Sequence, residues 1–165
     1  MKRTVLVCSI LFLLIFSLAA YSKASSTITV RKICNYKTSD ITSIEFVDKK
    51  IYISHKMPLV VKDPKKISEF LGYMDKCKLE KAGEKDAKIG WIYQAVLYSN
   101  DKEVVAVTFG DPIVLRTYDD KTKEYNYAYY FPTKNEVTPK KIDDFLAAVN
   151  PDWVQKAADT NIDMH

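Results

Sequence analysis

Two nine-residue stretches, "DPKKISEFL" at 63–71 and "TPKKIDDFL" at 138–146, decide how this chain folds. They are identical at six positions and begin 75 residues apart. Each starts with a residue, Asp63 or Thr138, whose side-chain oxygen can accept a backbone N–H of a first helical turn. A proline follows at the first helical position, where the missing N–H costs no hydrogen bond. Both stretches therefore predict the beginning of an α-helix.

Both predicted helices carry an apolar stripe along one side. In each helix, four apolar residues follow the i, i+3, i+4, i+7 spacing that lines one helical face. The residues are Ile67, Phe70, Leu71 and Met74 in the first helix, and Ile142, Phe145, Leu146 and Val149 in the second. Burial of one stripe is worth about 6–12 kcal/mol before conformational entropy is subtracted. Two such helices require an apolar surface to cover.

Strand-like segments around the two helices supply that surface. Alternating or β-branched apolar residues predict strands at 27–34, 41–47, 51–55, 91–98, 104–109, 113–117 and 125–131. The polar segments between them are typical of hairpin turns, and the charged segment 80–88 is expected to be a surface loop. We therefore predict an α+β fold, in which an antiparallel β-sheet carries two amphipathic helices packed on one face.

The repetition of the helix-starting phrase has two explanations. Either both stretches solve the same local problem of starting a helix after a strand, or they descend from the duplication of a meander-plus-helix unit. The first explanation is favoured because the halves match poorly elsewhere, although Tyr52 and Tyr127 also keep the 75-residue offset. Both explanations lead to the same predicted fold.

Residues 1–24 have the organisation of a secretory signal peptide. Two basic residues precede an apolar run at 5–20, and the small residues Ser22 and Ala24 offer a cleavage site after Ala24. A retained membrane anchor is the alternative, but a run of about 16 residues is shorter than the roughly 20 that span a bilayer. Tyr21 stands where a lipoprotein would need its lipid-attachment cysteine. We expect export with cleavage.

The chain beyond this signal peptide is almost neutral. The whole sequence has a net charge of +4, but residues 1–24 contain three basic residues and no acidic one. The remainder has 22 basic and 21 acidic residues, a net charge of +1. A net charge this close to zero does not favour binding to nucleic acid. Contact with a membrane is expected only transiently, through the signal peptide.

We expect a single α+β domain at 25–150 and a C-terminal tail at 151–165.

The residues that would carry chemistry are few. Cys34 and Cys77 permit one disulfide in an exported chain, worth about 4 kcal/mol through loop closure, and two buried thiols are the alternative. Ligands for a zinc site are too few, so neither a metal nor a cofactor is expected. His55 lacks the nucleophile elbow and oxyanion loop of a Ser-His-Asp hydrolase, so no catalytic residue is assigned.

A small extracellular hydrolase nevertheless remains an alternative from a different class of function. It would require acidic residues such as Asp111, Asp119 and Glu124 to gather in one cleft with shifted pKa values.

Aromatic residues, at 12% of the chain, are the feature that stands above background. Because side chains alternate along a strand, two sets are each predicted to share one face. These are Tyr125, Tyr127, Tyr129 and Phe131 on one strand, and Trp91, Tyr93 and Leu97 on another. Such faces either meet the helices and form the core, or one remains uncovered and recognises a protein or glycan. The second interpretation gives the candidate binding residues Trp91, Tyr93, Tyr127 and Tyr129.

The order of elements resembles that of the small extracytoplasmic domains of Gram-positive bacteria typified by YhfM-like lipoproteins. The residues that carry the resemblance are "DPKKISEFLGYMDKCK", and "YNYAYYF" followed by "TPKKIDDFLAAV", and the likeness covers residues 41–150. The chain departs from that group by lacking the lipid-attachment cysteine. The resemblance implies an extracytoplasmic domain and assigns no catalytic residues. The chain also resembles, more distantly, secreted inhibitor domains built of helices on an aromatic-bearing sheet.

The sequence thus predicts an exported bacterial binding module, secreted or held in the cell envelope, that is not an enzyme. Its expected partner is a protein or a cell-wall glycan, bound through aromatic residues on an uncovered sheet face. A secreted inhibitor of an enzyme and a small hydrolase are the alternatives.

Overall fold

The computed structural model describes four parts of the chain, residues 28–49, 57–83, 90–134 and 137–153. The predicted signal peptide, the strand predicted at 51–55 and most of the predicted tail lie outside the described residues. No helix within the described parts is long and apolar enough to cross a membrane.

Strands dominate the described residues. They are β1 Ser43–Asp48, β2 Leu59–Val61, β3 Lys78–Lys81, β4 Trp91–Ser99, β5 Lys102–Gly110, β6 Ile113–Asp119 and β7 Glu124–Lys134. The helices are α1 Val30–Cys34, α2 Pro64–Lys76 and α3 Pro139–Val149, and a 3₁₀ turn, Thr38–Asp40, precedes β1. The strands predicted at 41–47, 91–98, 104–109, 113–117 and 125–131 are confirmed, as β1 and β4 to β7.

The seven described strands form one antiparallel sheet in the order β2-β1-β4-β5-β6-β7-β3. Consecutive hairpins join β4 to β7, and Asn100 and Asp101 between β4 and β5 have the positive φ angles of a tight hairpin turn. β2 and β3 lie at opposite edges, so α2, which connects them, runs across the width of the sheet. The predicted α+β fold is confirmed.

Both long helices begin as the repeated stretches predict. The Asp63 carboxylate accepts the backbone N–H of Lys65 at 2.7 Å, and the Thr138 hydroxyl oxygen accepts that of Lys141 at 3.3 Å. Each cap is followed by a proline at the first helical position. These hydrogen bonds satisfy N–H groups that have no partner within the helix.

The apolar stripes of α2 and α3 lie on the same face of the sheet. Seven of the eight predicted stripe residues are buried, and Val149 is half-buried against the core. The seven are Ile67, Phe70, Leu71, Met74, Ile142, Phe145 and Leu146. The Phe70 ring lies 4.7 Å from that of Phe46 on β1 and 5.3 Å from that of Phe145. Phe46 and Phe145 are 5.7 Å apart, so one strand and both helices share a single aromatic cluster.

The strand predicted at 27–34 is wrong. Residues Val30–Cys34 form α1, and only Ile28 makes an isolated β-bridge, to Leu79 of β3. Val30 is buried in the core, and Arg31 forms an ion pair with Asp75 of α2 at 2.8 Å. Packing against α2 therefore overrides the local strand preference of the β-branched run.

The edge strands β2 and β3 were not predicted. β3 has the sequence "KLEK", whose single apolar residue, Leu79, is fully buried. Glu80 and Lys81, assigned to a surface loop from the sequence, belong to this strand, which corrects the start of that loop. Neither segment is long enough to show an alternating pattern, and pairing with β1 or β7 defines both.

Candidate functional site

The face of the sheet opposite the helices is the candidate site. Paired residues project their side chains to the same side, so the register identifies the members of this face. The pairs Val114–Tyr129, Arg116–Tyr127 and Tyr118–Tyr125 join β6 to β7 on it. We call this surface the open face and define its β6–β7 part as Val114, Arg116, Tyr118, Tyr125, Tyr127, Tyr129 and Phe131.

A row of aromatic side chains on β7 dominates the open face. Tyr125 is 48% exposed, Tyr127 57% and Phe131 38%, while Tyr129 is half-buried. Two residues between them, Ala128 and Tyr130, pack against the core, which confirms that the four aromatic side chains share the opposite face. Of the candidate binding residues, Tyr127 and Tyr129 lie here.

Arg116 is fixed at the centre of the aromatic row. Its guanidinium donates two hydrogen bonds to the Glu103 carboxylate, at 3.1 and 2.9 Å, and lies 4.9 Å from the centre of the Tyr125 ring. Partial burial opposes the charge of Arg116, but the hydrogen bonds to Glu103 outweigh it and hold the arginine pKa above its ordinary value. The Tyr118 ring packs edge-on against Tyr125 at 5.2 Å. These contacts preorganise the cation and two of the rings.

Small apolar residues form the floor of the open face. Val96, Ala106 and Val114 are almost completely buried, yet they do not belong to the core beneath the helices. Ala106 is paired with Arg116 and Val114 with Tyr129, so long side chains stand beside short ones. This surface is therefore uneven rather than flat, with the aromatic rings as its raised part.

Tyr93 does not belong to the open face, which corrects its assignment as a binding residue. Its side chain is 7% exposed, lies among the core residues with Ala95 and Leu97, and donates a hydrogen bond from its hydroxyl to Asp143 of α3. Burial first, and then the hydrogen bond to Asp143, raise the pKa of Tyr93. The buried Asp48 acts in the same direction.

Tyr93 lies on the covered face because side chains alternate along β4. Tyr93, Ala95 and Leu97 point towards the helices, whereas Gln94 and Val96 point to the open face. The sequence identified the two faces of this strand but not which one the helices cover. Trp91 opens β4 with its backbone paired to Gly110, and its side chain lies outside the described part of the structure.

The acidic residues that a hydrolase would need do not gather in one cleft. Asp111 lies in the bend before β6 and Asp119 ends that strand, which is itself about 20 Å long and keeps the two residues at its opposite ends. The Asp119 carboxylate accepts the backbone N–H groups of Lys121 and Thr122 in the β6–β7 turn. Glu124, which pairs with Asp119, is exposed at this same tip.

A cavity of about 250 Å³ lies where α3 meets the ends of β4 and β5. Ile92, Phe109, Ile142 and Asp111 are among the residues that line it. The register of β4 against β5 shifts between Trp91 and Tyr93, which places an irregularity in the strand beside this cavity. Among the described residues, its lining is mainly apolar and includes one acidic residue, Asp111.

The cysteines of the described residues, Cys34 and Cys77, are present as thiols in this structure. Cys34 is half-buried at the end of α1, and Cys77 is buried directly after α2. Burial raises the pKa of each thiol to about 11, so the reactive thiolate is scarce at neutral pH. The disulfide that the sequence permits stays a prediction. No group of three metal-ligating residues occurs among the described residues.

Sequence reasoning missed Arg116 and Tyr118, which complete the open face. A signal was available, because residues 113–119 alternate as "IVLRTYD" and place both side chains on the face opposite Leu115. The choice of face again depended on knowing which side the helices cover.

No family model matches this chain, and no match was found among the curated proteins or the solved structures compared with it. The fold and the open face therefore provide the basis for a functional proposal.

Proposed function

We propose that this chain is an exported bacterial binding module that recognises a protein through its open face and is not an enzyme. The observation that carries the proposal is the contiguous row of aromatic side chains on β6 and β7. Tyr118, Tyr125, Tyr127 and Phe131 are each more than a third exposed. Clustered exposed aromatics on a soluble domain mark an interaction surface more often than isolated ones do.

The composition of this surface supports a protein partner. Tyrosine and arginine are the residue types that most often dominate binding energy at protein interfaces. Arg116 is already held by Glu103 and by the Tyr125 ring, so little side-chain freedom remains to be lost on binding. A cell-wall glycan could also stack on tyrosine rings, and it is treated as an alternative outcome of the test.

Export is part of the proposal and rests on the sequence. The predicted signal peptide at 1–24 places the domain outside the cytoplasmic membrane, in the secreted fraction or the cell envelope. The net charge of +1 beyond it favours neither nucleic acid nor anionic lipid as the partner.

The test compares a double variant of the open face with a matched tyrosine variant on a helix. Tyr125→Ser/Tyr127→Ser removes the two most exposed rings of the row, whereas Tyr73→Ser removes a ring of α2 that is bonded to Glu69. We expect the unaltered protein and Tyr73→Ser to capture the same protein from culture supernatant or cell envelope. The double variant should bind that protein at least about tenfold more weakly.

Two results would contradict the proposal. One is equal capture by the double variant, which would place the binding surface elsewhere. The other is capture of purified cell-wall glycan in place of any protein. If the captured protein is an enzyme whose activity falls on binding, the module is an inhibitor, and the same surface is responsible.

A further inference from the structure

We propose that the partner contributes an extended polypeptide segment, which adds as a new strand to the outer edge of β7 at Glu124–Ala128. This inference rests on the proposed function, because it specifies how a protein would engage the same part of the sheet. We call Glu124–Ala128 the edge segment.

The edge segment exists because β7 is much longer than its neighbour β3. β3 pairs with β7 only from Tyr130 to Lys134. The pairing continues by one hydrogen bond, from the backbone N–H of Ala82 to the carbonyl of Tyr129 at 2.8 Å. Among the described residues, no strand pairs with the outer side of the edge segment, although its inner side is paired with β6.

The direction of the backbone groups follows from the same hydrogen bond. The Tyr129 carbonyl points outward, towards β3, and in an antiparallel strand successive residues direct their N–H and C=O groups to opposite sides. Tyr125 and Tyr127 therefore point theirs outward, while Asn126 and Ala128 direct theirs to β6. The edge segment thus offers two N–H donors and two C=O acceptors, alternating along one line.

Tyr125 and Tyr127 also carry exposed rings of the open face. An added strand would form backbone hydrogen bonds to Tyr125 and Tyr127, and every second side chain of that strand would lie beside their rings. Only an extended polypeptide backbone presents donors and acceptors with this repeat, about 6.8 Å for two residues. The chemistry of the edge therefore favours a peptide over a glycan.

The edge segment lacks the features that normally prevent strand addition. Exposed edges are commonly protected by lysine, proline, a bulge or short length. Its sequence, "EYNYA", contains neither lysine nor proline, and its only charged residue is Glu124 at the end. By contrast, the other half of β7 contains Pro132 and is covered by β3. An edge that no described strand or helix covers, beside an aromatic surface, is consistent with a docking role.

The first experiment tests the geometry without a partner. Proline at an outward-pointing position removes an N–H that has no strand partner in the described parts of the chain, whereas proline one residue earlier removes an N–H directed to β6. We expect Tyr127→Pro to have a melting temperature within a few degrees of Tyr127→Ala. Asn126→Pro should melt at least about 10 °C below Asn126→Ala. Equal losses from the two prolines would overturn the assignment of the outer edge.

The second experiment tests strand addition with linear peptides selected from a random display library on the purified protein. Tyr127→Ala and Tyr127→Pro both remove the ring, but only the proline removes the outward N–H. We expect a selected peptide to bind Tyr127→Pro at least about tenfold more weakly than Tyr127→Ala. In the unaltered protein, the peptide should slow amide hydrogen exchange at Tyr125 and Tyr127 at least about tenfold, and much less at Asn126.

The outcomes separate this inference from the proposed function. If the proline and alanine variants bind a peptide equally and both more weakly than the unaltered protein, the open face binds and strand addition is wrong. Failure to select any linear peptide also overturns strand addition, while capture of a folded protein by the tyrosine row would leave the proposed function in place. If the Tyr125→Ser/Tyr127→Ser variant captures its partner normally, the proposed function is wrong, because the tyrosine row is then not the binding surface. Strand addition is wrong as well if Tyr127→Pro binds a selected peptide as tightly as Tyr127→Ala does.

Discussion

The two faces of this sheet are both rich in aromatic residues, but those of one face are buried and most of those of the other are exposed. On the covered side, Phe46 and Phe109 of the sheet pack with Phe70 of α2 and Phe145 of α3, and all four are buried. The open face carries mainly tyrosines, with Phe131 at one end. A tyrosine hydroxyl remains hydrated when its ring is exposed, and a phenylalanine ring has no such group.

The covered face also carries tyrosines, Tyr93 and Tyr130, and both are buried. The buried hydroxyl of Tyr93 is bonded to Asp143, whereas that of the core residue Tyr36 has no hydrogen-bond partner among the described residues. The comparison teaches that burial beneath the helices, rather than the type of aromatic residue, distinguishes the packed face from the surface available for docking.

Truncation of a phenylalanine on the covered face should have the largest effect. Phe70 is fully buried and contacts Phe46 and Phe145, so Phe70→Ala should lower the free energy of unfolding by about 3–5 kcal/mol. The matched change on the open face, Tyr127→Ala, should lower it by less than about 1 kcal/mol. Urea denaturation of both variants checks this, and similar losses would show that the faces are not distinct.

Removal of the Tyr93 hydroxyl should have an intermediate effect. Tyr93→Phe leaves the Asp143 carboxylate without its donor, which should cost about 1–3 kcal/mol. Tyr127→Phe, which removes an exposed hydroxyl, is the control and should leave stability unchanged. Urea denaturation near neutral pH measures both, and equal effects would contradict the different environments of the two tyrosines.

The Tyr93 hydroxyl also predicts a dependence of stability on alkaline pH. Because burial and the hydrogen bond to Asp143 raise its pKa, the folded protein retains this proton to higher pH than the unfolded chain. Its contribution is therefore intact below the unfolded-state pKa of about 10 and is lost as the pH rises above that value. Tyr93→Phe should flatten this decline without abolishing it, since burial also raises the pKa of Tyr36 and Tyr130. An unchanged slope in Tyr93→Phe would contradict this account.

Removal of a helix cap should change the stability of the protein least among these substitutions, apart from the Tyr127 controls. Asp63→Ala and Thr138→Ala should each lower the free energy of unfolding by about 1 kcal/mol. Asp63 accepts two backbone N–H groups, at 2.7 and 3.4 Å, and Thr138 accepts one at 3.3 Å, so Asp63→Ala should cost more. Thermal unfolding of the two variants ranks them, and the reverse order would contradict the role assigned to these hydrogen bonds.

The parts of the fold that could be predicted are those whose signals are local. A cap, a proline and an apolar stripe identified α2 and α3, and sustained apolar runs identified β4 to β7. The edge strands β2 and β3 escaped because pairing with β1 and β7, rather than their own residues, makes them strands. At Val30–Cys34 the local signal was misleading, since contacts with α2 favour a helix.

The candidate site could be predicted only in part for a related reason. Alternation correctly grouped Tyr125, Tyr127, Tyr129 and Phe131, because that grouping depends on strand geometry alone. It could not show that Tyr93 faces the helices, because that depends on how α2 crosses from one edge of the sheet to the other. The edge segment was likewise invisible, since it results from the unequal lengths of β3 and β7.

The most direct test of the two-faced sheet is the rate at which individual tyrosines react with a small water-borne reagent such as tetranitromethane, followed residue by residue by mass spectrometry. The account predicts that Tyr125 and Tyr127 react in the folded protein nearly as fast as in urea, whereas Tyr93 and Tyr130 react at least about tenfold more slowly. Equal protection of all four residues would contradict it, because the open face would then be covered.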